Sequence, residues 1–122
     1  KERKNMIING VELEFNLYDL ENPELKERYR AELEKMKHVA EELPEGTELE
    51  RNRFLCGRVK QMFDVVFGEG TGDCVCGRGN DLLTCMAVYE QLITEQIRQD
   101  NQYNEIMGRL KMLSMENDPV EK

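Results

Sequence analysis

The sequence predicts a mostly α-helical domain, an antiparallel bundle of three to four helices opened by a short N-terminal β-hairpin. Three observations predict it. An Asn-Gly pair stands between two short apolar runs near the start, three later stretches repeat apolar residues every three or four positions, and helix start and stop residues bracket those stretches.

The hairpin comes first. In Met6-Ile7-Ile8-Asn9-Gly10-Val11-Glu12-Leu13-Glu14-Phe15, Asn9 and Gly10 tolerate the positive φ angles of a type I′ turn. The second run alternates apolar and acidic residues, which places Val11, Leu13 and Phe15 on one face. Asn22-Pro23-Glu24 then supplies an N-cap oxygen, a proline where its missing N–H is harmless, and an acidic group favoured by the helix dipole. Leu25, Tyr29, Leu33, Met36, Val39 or Ala40, and Leu43 step at helical spacing, and Pro44 and Gly46 are expected to end this first helix. Thr47 and Glu50 form the capping-box pattern of a second helix. Its Phe54, Leu55, Val59, Met62, Phe63, Val66 and Phe67 make the widest apolar face in the chain and predict the centre of the core. The short connection between these helices predicts antiparallel neighbours.

Residues 68–79 hold five of the nine glycines and are expected to form a loop. Asn80 and Asp81 cap a third helix, with Leu82, Leu83, Met86, Ala87, Tyr89 or Glu90, Ile93 and Ile97 as its stripe. The stripe continues to Ile106, Met107 and Leu110, across a polar Asp100-Asn101-Gln102 stretch expected to fray or kink the helix. One domain over residues 6–115 is expected, with 1–5 and 116–122 as flexible termini.

Composition limits the partners. With 39% hydrophobic and 34% charged residues the chain should fold while exposing much charge. Its 25 acidic and 17 basic residues give a net charge of -8, which repels phosphate backbones and anionic membrane surfaces. Neither nucleic acid nor a membrane is expected as a partner, and no apolar run is long enough to span a bilayer. Nor does the start carry a charged run followed by the apolar core of a secretory signal, so a cytosolic setting with reduced cysteines is expected.

No catalytic, cofactor or metal site is expected. Cys74-Val75-Cys76 has one intervening residue where structural zinc sites commonly use two to four, and Cys56 and Cys85 fall on helices as small core residues. The glycines at 68, 70 and 72 lack the lysine and hydroxyl of a phosphate loop, and Glu69 and Asp73 would repel phosphate. Asp64, Glu69, Asp73 and Asp81 lack EF-hand spacing and are expected to form a solvated acidic loop. His38, the one histidine, is expected to be an exposed mid-helix residue without a nucleophile partner. Of the methionines, Met62, Met86 and Met107 lie on core stripes, whereas Met36, Met112 and Met115 suit an adaptable binding surface.

The segment Phe63-Asp64-Val65-Val66-Phe67-Gly68-Glu69-Gly70-Thr71, then Gly77-Arg78-Gly79-Asn80-Asp81-Leu82-Leu83 and an amphipathic helix, resembles the tail assembly chaperones of siphophages and related prophages. In that family an aromatic-ended helix breaks at a turn of this Phe-Gly-Glu-Gly-Thr kind, and an Asn-led helix resumes after a short loop. The opening Met-Ile-Ile-Asn-Gly-Val is similar to Gram-positive prophage proteins encoded among tail genes. The specific likeness runs from Phe63 to Ile93, and Cys-Val-Cys departs from it unless Val75 is the loop's apolar anchor. The resemblance implies a non-enzymatic chaperone that coats the tape measure protein in the host cytoplasm and is absent from the mature virion.

Protein binding is therefore the expected function. The apolar positions left over once the core is filled are expected to bind the partner and to form a homo-oligomer: Ile93, Ile97, Ile106, Met107 and Leu110. The alternative is a small phage regulator or anti-defence protein that inhibits a host protein through its acidic surface. An enzyme is disfavoured because no set of acid, base and nucleophile emerges.

Overall fold

A computed structural model describes residues 5–117, with side chains placed through Met115. Strands β1 (Met6–Ile8) and β2 (Val11–Leu13) pair antiparallel, with Met6 opposite Leu13 and Ile8 opposite Val11. Asn9 and Gly10 both take positive φ, 50° and 81°, as a type I′ turn demands. The Asn9 amide also donates to the carbonyl of Val75 at 2.6 Å, fastening the hairpin tip to a later helix.

Helix α1 (Pro23–Lys37) starts with proline in its first turn, but the Asn22 side chain makes no capping bond. The helix ends earlier than its apolar spacing predicts, and residues Val39–Glu42 form a 3-10 turn instead. Val39 and Leu43 are only half-buried and Ala40 is exposed, so a longer helix would have no core to lie on. Glu41 and Glu42 would also sit badly at a helix C-terminus. His38 consequently lies at the end of α1 rather than within it.

Helix α2 (Glu48–Phe67) opens with the full capping box, the Thr47 hydroxyl accepting from the Glu50 N–H while the Glu50 carboxylate accepts from the Thr47 N–H. Val59, Met62, Phe63 and Val66 are buried, as expected of the core's centre. Phe54 and Leu55 are only half-buried, because the first turns of α2 extend past the elements that cover the rest. The Arg28 guanidinium donates to the Val66 carbonyl through Nε and Nη2, at 3.3 and 3.1 Å. This bond ties the start of α1 to the end of α2, so the two run antiparallel.

The glycine-rich stretch is not a loop throughout. It contains a short helix, α3 (Thr71–Cys76), reached through positive-φ residues Gly68 and Gly70. Gly72 lies so close to α2 that a Cβ there would be 2.5 Å from the Lys60 carbonyl oxygen. Its N–H donates to Asp64 Oδ1 at 2.7 Å, and Lys60 Nζ reaches Asp73 Oδ1 at 3.1 Å and the Gly79 carbonyl at 2.7 Å. Asp64 and Asp73 thus staple α2 to α3 rather than standing in a loop, Asp64 half-buried and Asp73 still exposed to solvent. Val75 is buried and anchors the segment.

Helix α4 (Leu82–Asn117) is continuous, with no break at Asp100-Asn101-Gln102. Asp81 Oδ1 accepts from the N–H groups of Leu83 and Thr84 at its start. It extends through Glu116 and Asn117, which were expected in a flexible terminus; the rest of that terminus and residues 1–4 lie outside the described residues. The core joins Ile8, Phe15, Tyr29, Phe63, Val88 and Leu92 from every layer. Phe15 meets the Tyr29 ring edge-on at 5.0 Å and Phe67 at 5.6 Å, so the segment after the hairpin seals the end of the bundle.

Candidate functional site

The length of α4 makes the site. At ~1.5 Å per residue its 36 residues span about 54 Å, against about 30 Å for the 20 residues of α2. Residues 101–115 are all exposed, so from residue 104 onward α4 projects beyond the body as an overhang of about 21 Å.

A polar collar grips the helix where it leaves the body. The Gln99 side-chain amide donates to the Phe15 carbonyl at 2.6 Å, and its oxygen accepts from the Leu17 N–H at 2.8 Å. Gln99 is 9% exposed, so both of these backbone groups find their partner inside the protein. The Tyr18 hydroxyl donates to Asp100 Oδ1 and the Tyr29 hydroxyl to Gln96 Oε1, both at 2.6 Å, while Gln96 Nε2 donates to Asp100 Oδ2 at 3.0 Å. The bonds from Gln96 and Tyr18 hold the Asp100 carboxyl below its usual range, so it stays charged. The same carboxylate, with partial burial, pushes the Tyr18 hydroxyl up. Tyr18 and Tyr103 stack at 4.6 Å with planes 10° apart, and Lys26 Nζ sits 3.9 Å above the Tyr18 ring.

Beyond the collar the overhang keeps an apolar stripe. Ile106 is 41% exposed, Met107 44%, Leu110 55% and Leu113 53%. At ~100° per residue these four and Tyr103 occupy one face, in line with Cys85, Val88, Leu92 and Gln99, the residues that α4 buries in the body. The core-facing side of the helix therefore continues into open space. Met112 and Met115 are exposed on other sides, and Met36 is buried in the core.

The expected partner-binding set divides. Ile106, Met107 and Leu110 lie on the stripe, so Met107 is not core. Ile93 is half-buried against the core, and Ile97, though exposed, lies about two-fifths of a turn from the centre of the stripe. The sequence stripe through Met86, Ile93 and Ile97 is rotated by more than about a third of a turn from the buried face, because the side facing the core includes small Cys85 and polar Gln96 and Gln99. Tyr103 and Leu113 complete the exposed stripe; their three- and four-residue spacing from Ile106 and Leu110 was the signal available.

The cysteines do not assemble with the acidic residues. Cys74 and Cys76 point to opposite sides of α3, one exposed and one buried, while Cys56, Cys76 and Cys85 are neighbours in the core. Burial pushes all three thiols up, Cys56 to about 11, which leaves them protonated and unreactive at neutral pH. Among the described residues, no group of three or more His, Cys, Asp or Glu is placed to hold a metal ion. His38 is exposed, its imidazole pKa raised by contacts with Glu34 and Glu41. No described helix is long and apolar enough to cross a membrane.

Residues 9–117 match the family of unknown function DUF6673. The chain belongs to DUF6673. The matched span starts at the hairpin turn and ends with α4, so the DUF6673 match takes in the collar and the whole overhang. Neither a curated relative nor a solved structure matches the chain.

Proposed function

We propose that this DUF6673 protein is a non-enzymatic protein-binding module, an assembly chaperone or scaffold whose client is a phage tape measure protein. The observation that carries the binding role is the stripe of Tyr103, Ile106, Met107, Leu110 and Leu113 on a helix that projects from the body. An apolar stripe on an exposed helix is suited to pairing with an amphipathic helix of another chain. The client is proposed from the likeness of residues 63–93 to tail assembly chaperones, in which the glycine turn after Phe67 forms the α2–α3 corner. A tape measure protein is long and helical, so many such stripes could be laid along it, and the net charge of -8 would keep the coated complex soluble. In this reading the protein works in the host cytoplasm and leaves before the virion matures.

Co-expression with a phage tape measure protein, followed by size-exclusion chromatography with light scattering, tests the proposal. The two should co-elute, and Leu110→Glu should abolish co-elution without shifting the thermal midpoint, because Leu110 lies beyond the body. A tape measure protein that stays insoluble with the wild-type chain sinks the chaperone reading.

A further inference from the structure

We propose that, without a client, two copies of this chain pair through their overhangs in antiparallel fashion, forming an end-to-end dimer with a body at each end. The orientation follows from the direction of the stripe. Tyr103, Ile106, Leu110 and Leu113 face the same side of α4 as Cys85, Val88 and Leu92, the side on which α1 and α2 lie. Two parallel copies meeting across this stripe would bring both bodies into the space between the helices, where they collide. Antiparallel copies place the bodies at opposite ends, and the stripes cover each other over Ile106, Leu110 and Leu113, past the Tyr18 ring that lies on Tyr103.

Charge favours the same arrangement. Residues 103–117 carry Glu105 and Glu116 against Arg109 and Lys111, two of each sign, so the excess of -8 resides elsewhere in the chain. The overhang is the part of the molecule where copies can approach without strong repulsion. End-to-end pairing separates the acidic bodies by about the overhang's ~21 Å, well beyond the ~8 Å screening length at physiological salt. Three-four-three spacing through Tyr103, Ile106, Leu110 and Leu113 is the seam of a two-stranded coiled coil, and centring the overlap near Leu110 sets Ile106 close to Leu113 of the second copy. An overlap this short belongs with the smaller specific interfaces, so the dimer should be reversible.

The inference concerns the chain alone and does not rest on the identity of the client. Light scattering at roughly 100 µM, a concentration suited to a weak dimer, should give twice the monomer mass. Leu110→Glu should be monomeric with an unchanged thermal midpoint, while Met112→Glu, on the far side of the helix, should remain dimeric. Spin labels at Gln91→Cys, in a Cys74→Ser background, should lie about 57 Å apart in the antiparallel dimer. A monomeric wild type, a dimer that survives Leu110→Glu, or a label separation under half that value would overturn the proposal. Loss of client binding with the dimer intact would instead count against the chaperone reading.

Discussion

Gln99 joins α4 to the segment after the hairpin much as one strand joins another, with a donor and an acceptor meeting the backbone at Phe15 and Leu17. An isolated glutamine in a helix gives no such signal, since its spacing fits a solvent-facing position equally well. Replacing it with leucine would keep most of the volume but leave the Leu17 N–H and the Phe15 carbonyl without partners, at roughly 1–3 kcal/mol for each buried group. Gln99→Leu is therefore expected to lower the denaturant midpoint clearly, and Gln102→Leu, at an exposed position, to leave it nearly unchanged. Equal midpoints would mean that the collar does not hold the helix. The neighbouring Asp100 illustrates the same blindness: its polar surroundings in sequence predict fraying, yet its bonds to Tyr18 and Gln96 are what brace the helix there.

Among the elements, those built from local chemistry were legible beforehand. The Asn9-Gly10 turn and the Thr47–Glu50 capping box depend on residues a few positions apart, and both formed as expected. The end of α1, the helix within residues 68–79 and the buried face of α4 depend on which surface lies opposite, and periodicity alone does not encode that. Gly72 makes this concrete. Its φ is ordinary, and glycine is needed only because α2 passes so close. Gly72→Ala should thus destabilise by about 1–3 kcal/mol, the usual cost of overpacking, whereas Gly79→Ala, with nothing within 4 Å of the new Cβ, should be near neutral. Urea unfolding of the two variants side by side distinguishes a packing requirement from general intolerance of this segment. Of the candidate site, Ile106, Met107 and Leu110 were legible because they extend a helical spacing; that Ile93 packs on the core was not, since the sequence does not say where the body ends.

For the whole molecule, the consequence of the collar is that α4 is a single helix in shape but two in stability. Up to Tyr103 its hydrogen bonds can open only when the bundle opens, since Cys85, Val88, Leu92 and Gln99 lie inside it. Past the collar every residue through Met115 is exposed, so little is added to the helix's own strength, and 14 residues are marginal for an isolated helix in water. Amide hydrogen exchange in dilute protein should therefore show an abrupt fall in protection near Tyr103 rather than gradual fraying from the C-terminus. Uniform protection through residue 113 under those conditions would contradict this division. Covering the stripe should move the fall outward, so any chain that pairs with these residues would record its arrival in them, as a persistence that the helix lacks alone.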